Sequence, residues 1–271
     1  PMQATTTDIL GLPYTCMKPA MSIPMTTKPI DGKYICIGIH ATALAKYWNN
    51  PTGWQEVVDH YLTRGYKVVN LSSEPDGFMG VKYPVGTIQL KPNRTLAETM
   101  SYLIHSDAFI GLGSGLSWLS WAMNVPTVVI SGFSKPYSEM TDDSVIRIFN
   151  GSVCNGCFNS HRLDAGDWRW CPVNKGTDRE FECTKSITSA QVINELDKFL
   201  ETRKIEKSID VIVDESYYLG MVQNHSEIID AAKFVKELAI KNFMEIGTDQ
   251  GGTFAIWSKV SKEDGRSEER F

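Results

Sequence analysis

The chain has 271 residues, 42% of them apolar, enough for one large or two ordinary domains with a proper core. Its net charge of −5 argues against nucleic acid as the main partner, because phosphate binding needs a clear positive excess. No run of about 18 apolar residues exists, so no transmembrane helix is expected. The N-terminus also lacks the basic-then-apolar order of a signal peptide, and a soluble cytoplasmic protein is the default expectation.

Residues 1–30 carry Pro13, Pro19, Pro24 and Pro29 among many threonines, and no period is sustained. They read as linker or edge structure. From Lys33 onward strands and helices alternate. Strands are expected at Tyr34–His40, Lys67–Leu71, Gly86–Leu90, Ala108–Ile110 and Thr127–Ser131, and helices at Trp54–Arg64, Leu96–His105 and Gly115–Met123. Short continuous apolar runs separated by helices of about 10 residues imply an α/β fold, a parallel Rossmann-like sheet covered on both faces.

Three strand ends offer ligand chemistry. The turn Gly111-Leu-Gly113-Ser114-Gly115-Leu116 follows a strand and opens a helix, where small residues admit a ligand and free N–H groups favour an anion such as a diphosphate. Glycines serve tight strand-to-helix packing equally well, and the turn alone does not choose. Thr42 and Lys46, after the first strand, suit phosphate oxygens. Glu74, after the second, can accept both hydroxyl hydrogens of a ribose. Each taken singly reads as a solvated loop residue, whereas together they form a nucleotide site at the carboxyl ends of parallel strands. The five histidines are scattered and add little; His40 alone sits at a strand end.

The segment 151–188 breaks the rhythm and reads as an insertion. Its spacing Cys154-x2-Cys157-x13-Cys171-x11-Cys183 suits a tetrahedral thiolate metal site, with two disulfides as the competing reading. Iron and zinc both accept four sulfurs, so spacing does not choose between them. A closed shell leaves no open position for metal catalysis, so its role would be structural. A helix at Ser189–Thr202 follows, and then a second pattern. Asn224-x-x-Glu227 opens a helix with Ile228, Ala232, Val235 and Ala239 on one side, and the strand Phe243–Ile246 leads into Gly247-Thr-Asp-Gln-Gly251-Gly.

Several blocks match a known family in order: His40-Ala-Thr42-Ala-Leu-Ala-Lys46 with its continuation to Trp54, Gly111 to Trp121, Ile130-Ser-Gly-Phe-Ser134, and the cysteine segment with Trp168-Arg-Trp170-Cys171-Pro and Phe181-Glu-Cys183-Thr. Over about residues 1–205 the chain resembles the bacterial autotransporter heptosyltransferases, relatives of the ADP-heptose lipopolysaccharide heptosyltransferases. The resemblance implies a GT-B fold, of which this chain would carry the C-terminal half. It implies transfer of heptose from an ADP-sugar donor to serine or threonine hydroxyls of an autotransporter protein, in the cytoplasm. It further implies iron in the cysteine segment, with zinc possible from spacing, and a homo-oligomer. Carried over by position, Thr42 and Lys46 would hold the diphosphate, Glu74 the ribose, and Ser114, Gly115 and Leu116 the phosphate through backbone N–H groups. In the family the general base belongs to an N-terminal domain, so this chain is expected to bind donor and metal without catalysing alone.

The block around Gly247 and Gly251 resembles the first strand and glycine loop of an S-adenosylmethionine methyltransferase, close to the cephalosporin hydroxylase-like group, where those glycines would approach the cofactor. The expected organisation is therefore a linker or remnant of a preceding domain at 1–30, a nucleotide-sugar domain at 31–150, a four-cysteine metal finger at 151–188, a closing helix at 189–205, and a methyltransferase-like segment at 206–271. A competing reading from another class is a non-catalytic metal-knuckle module that mediates assembly.

Overall fold

A computed structural model describes residues 2–14, 18–19, 21, 27–140, 144–201, 225–237, 243–246 and 267–270. The chain divides into two compact units, residues 1–197 and 198–271.

The first unit is built on six strands: β1 Tyr34–Ile37, β2 Lys67–Asn70, β3 Ile88–Gln89, β4 Ala108–Leu112, β5 Thr127–Ile130 and β6 Val145–Ile148. They lie in the order β3-β2-β1-β4-β5-β6, and every neighbouring pair is parallel. In register, Ile35 of β1 stands opposite Val68 of β2 on one side and Ala108 of β4 on the other. Every residue of β1, β4 and β5 is buried, which explains why these strands are unbroken apolar runs instead of alternating ones. The core under one face joins Tyr34, Cys36, Val69, Leu71, Leu103 and Phe109.

Helices α2 (Gly53–Thr63), α3 (Leu96–Ile104) and α4 (Gly115–Ala122) make the crossovers. The start of α3 is set by a capping box: the Thr95 hydroxyl accepts from the Glu98 N–H at 3.2 Å while the Glu98 carboxylate accepts from the Thr95 N–H at 2.5 Å. A helix over residues 189–201, α7 in chain order after two four-residue helices described below, buries Val192 and Leu196. Asp197 near its end accepts from Tyr61 at 3.0 Å and pairs with Arg64 at 2.5 Å and His60 at 3.2 Å, tying it to α2.

The second unit contains helix α8 (His225–Glu237), with Ile228 and Ala232 buried, and the parallel pair β7 (Phe243–Ile246) and β8 (Ser267–Arg270). Asn224, half of the expected capping box, lies outside the described residues.

Two expectations change. Part of the segment taken as a linker forms a helix, α1, at Met2–Ile9; its run of three threonines, poor helix formers, hid it. The sixth strand was not expected. Arg147 interrupts the apolar run Val145-Ile-Arg-Ile, and three of its four residues are only half-buried, as suits a sheet edge.

Candidate functional site

In a doubly wound sheet of this order the chain winds outward in opposite directions from the β1/β4 junction, leaving a crevice at the carboxyl ends of the strands. A cavity of about 660 Å³ lies there. From the end of β1 it takes His40, Ala41 and Thr42, from β2 Ser72, Ser73 and Glu74, and from β4 Ser114, Gly115 and Leu116. Five of the expected ligand-binding residues, Thr42, Glu74, Ser114, Gly115 and Leu116, thus share one cavity. Lys46 is outside the lining set, but its ammonium reaches the Thr42 hydroxyl at 3.5 Å.

Local bonding sets each wall. The Ile39 N–H donates to the Ser72 hydroxyl at 3.1 Å, which ties the end of β1 to the end of β2. The Asn70 side chain accepts from the Ser72 N–H at 3.0 Å and turns the chain toward Glu74. Ser114 caps α4 with extended backbone and no side-chain cap bond. The N–H groups of Gly115 and Leu116, first in the helix, have no acceptor within it and carry the positive end of its dipole.

The glycines of this turn divide between the two roles open to them. A side chain at Gly111 would meet the Phe109 ring and the Ser117 hydroxyl, and one at Gly113 would meet the Glu139 carboxylate. That carboxylate is paired with Arg147, which also donates to the Ser131 hydroxyl at 2.7 Å and the Ser134 carbonyl at 2.6 Å. Nothing stands within 4 Å of a side chain placed at Gly115. Gly111 and Gly113 therefore serve packing, and Gly115 keeps the cavity wall open.

Sequence reasoning passed over His40, Ser72, Ser73, Phe78, Met79 and Trp168, which line the same cavity. His40 is buried, with its ring 5.9 Å from those of Tyr47, Phe78 and Tyr83. Its Nδ1 stands 3.8 Å from the Glu74 carboxylate and its Nε2 3.5 Å from the Val81 carbonyl. Burial holds its pKa below the ordinary value, so the ring is neutral at pH 7. Its place at a strand end was the signal that could have found it.

Trp168 comes from the cysteine segment, and its carbonyl accepts from the Leu44 N–H at 2.9 Å. The segment itself is built from turns and two short helices, α5 (Cys157–Ser160) and α6 (Glu182–Lys185). Cys157, Cys171 and Cys183 are buried, Cys154 is half-buried, and all four are free thiols. Cys157 and Cys171 pack with Phe133, Trp170 and Phe181. Gly132, after β5, lies so close to Cys183 that an added side chain would meet its Cβ at 2.7 Å.

Burial pushes the Cys183 thiol up to about 12, with the charges of Cys154, Cys157 and Cys171 acting in the same direction. Burial also lifts Cys154 to about 11, helped by its hydrogen bond with Glu182. Among the described residues, no three His, Cys, Asp or Glu side chains converge as a metal ligand set. The four sulfurs share a neighbourhood without closing into a shell. Their chemistry fits a thiophilic cation: all-sulfur donors with no disulfide among them, whose thiolates, disfavoured by burial and by one another, a bound cation would favour. Gly247 and Gly251, expected at a methionine-type cofactor, lie outside the described residues.

Residues 13–152 match Glycosyltransferase family 9 (heptosyltransferase). The autotransporter heptosyltransferase Aah of Escherichia coli is 42% identical over 189 residues, which are 68% of this chain and 48% of that protein. The crystal structure of the iron-containing dodecameric glycosyltransferase TibC from enterotoxigenic E. coli H10407 superposes with a TM-score of 0.67 at 40% identity, covering 73% of this chain and 52% of that one. A structure of dodecameric TibC in complex with ADP-D-beta-D-heptose gives 0.59 at 43% identity, covering 66% and 48%. The chain spans about half the length of these relatives. A parallel six-stranded sheet with a cavity at its switch point, and a match over more than half the chain, place it in one family: the chain belongs to glycosyltransferase family 9, the heptosyltransferases.

Proposed function

We propose that this chain is the donor-binding half of a GT-B glycosyltransferase that takes ADP-heptose and serves O-glycosylation of serine or threonine on an autotransporter protein. The observation that carries the reading is the convergence of Thr42, Glu74 and the start of α4 on one cavity of about 660 Å³. A relative 43% identical is known in complex with that donor.

In this reading the diphosphate lies against the Gly115 and Leu116 N–H groups, with Thr42 and Lys46 on its other side. Glu74, with His40 Nδ1 3.8 Å away, accepts from the ribose hydroxyls. Breaking the sugar–phosphate bond leaves charge on departing ADP, so donors that strengthen toward that charge accelerate the step. Lys46 and the α4 end supply them. A general base must also take the acceptor proton. Glu74 is committed to ribose in this reading, so the base comes from outside the cavity.

The cysteine segment, 151–188, is a metal finger in the same reading, inserted after the nucleotide-sugar domain, 31–150, and closed by the helix that follows. Cys154, Cys157, Cys171 and Cys183 would hold iron, in keeping with an iron-containing relative, with zinc the competing ion. Its chemistry is to fix the fold of the segment, and through it the Trp168 wall. Free thiols suit a reducing cytoplasm, and a dodecameric relative supports a homo-oligomer.

Calorimetry with ADP and with adenosine tests the reading. Lys46→Ala is expected to weaken ADP by about 1.5–3 kcal/mol, the worth of a hydrogen bond to a charged group, and to leave adenosine unchanged. Wild-type protein with no affinity for ADP would overturn it.

A further inference from the structure

A second cavity, of about 590 Å³, lies beside the first, and Met79 lines both. Its composition is different. Leu44, Trp48, Trp54 and Phe181 supply apolar walls, while Lys82, Arg169 and Lys185 stand exposed around it with Glu180 as the single lining carboxylate. None of the three cations has an ion-pair partner among the described residues, although nearby Lys175 and Arg179 are paired, with Asp167 and Glu182. A local positive excess in a chain of net charge −5 calls for an anionic counterpart.

The three cations come from two stretches of chain, Lys82 from the loop leading to β3 and Arg169 and Lys185 from positions 16 residues apart in the cysteine segment. That spread, with apolar walls between, does not focus on one small anion; it matches a chain carrying carboxylates and apolar groups along its length.

From this we infer that the second cavity docks an acidic polypeptide segment, holding the acceptor protein next to the donor. The inference rests on the proposed function for what the bound polypeptide is for, and on the cations and apolar walls of the cavity for the binding itself. The polypeptide's carboxylates would meet Lys82, Arg169 and Lys185, and its apolar groups the walls formed by Leu44, Trp48 and Phe181.

Fluorescence anisotropy with a labelled peptide of alternating glutamate and serine, about twelve residues long to span the cavity, tests it, alongside a lysine–serine peptide, inorganic phosphate as competitor, and ADP. The expected result is binding of the acidic peptide alone, weakened at least about tenfold in Lys82→Glu/Lys185→Glu, restored in Lys82→Arg, and not displaced by phosphate at equal charge, while ADP affinity stays as in wild type. Equal binding of both peptides, full displacement by phosphate, or unchanged affinity in the charge-reversed variant would overturn the inference. Circular dichroism and the ADP measurement show whether that variant is folded. Loss of ADP binding in the wild type with peptide binding intact would instead strike the donor reading and leave this one standing.

Discussion

The chemistry of the proposed donor site comes down to where single side chains cannot go. Gly113 has the Glu139 carboxylate where a methyl group would sit, whereas Gly115 faces open space. Gly113→Ala is therefore expected to lower stability by about 1–3 kcal/mol through overpacking, and Gly115→Ala to leave the urea midpoint unchanged while narrowing the cavity and weakening ADP. Equal stability of the two variants would show that the glycines do not divide as described. In the sequence these positions are the same residue in the same turn, and no pattern separates them. The distinction depends on Glu139, which is brought in by its pairing with Arg147 on a strand the sequence did not reveal. Thr42, Glu74 and the Gly115 turn were legible because position at a strand end is a local property. His40 and Ser72 stand at the same strand ends and were passed over, whereas Trp168 was not legible, since it becomes cavity wall only when the cysteine segment meets those ends.

Among the elements, buried parallel strands announced themselves by continuous apolar runs, and their crossover helices as the stretches of about 10 residues between them, whereas the capping box of Thr95 and Glu98 emerges from the structure. Edge elements did not. β6 carries Arg147 and is only half-buried, and α1 is written in threonines, so neither shows the pattern of its type. One contact between elements is open to a quantitative test. Asp197 takes bonds from His60, Tyr61 and Arg64, and burial together with the Asp197 charge drives the Tyr61 phenol well above its ordinary pKa. Asp197→Ala leaves the buried Tyr61 hydroxyl without its acceptor, at a cost of about 1–3 kcal/mol. Urea denaturation should show it, and a loss confined to the exposed Arg64 pair, under about 1 kcal/mol, would show that the helix is held by Val192 and Leu196 alone.

At the scale of the whole molecule, sheet, cavity and cysteine segment form a linked arrangement within the first unit. Trp168 is the link: it belongs to the segment by sequence and to the cavity by position. Cys171→Ser is expected to lower bound iron or zinc by elemental analysis, destabilise the segment by several kcal/mol, and weaken ADP by loosening that wall. Unchanged metal content would remove Cys171 from the ligand set. The proposed metal site is read from spacing alone, and the structure adds that the four thiols are free and near one another. The measurement that bears most directly on the central claim is a crystal structure of this chain with ADP-heptose. The account predicts the diphosphate against the Gly115 and Leu116 N–H groups, with the ribose at Glu74. Donor bound elsewhere, or a diphosphate remote from the start of α4, would contradict it.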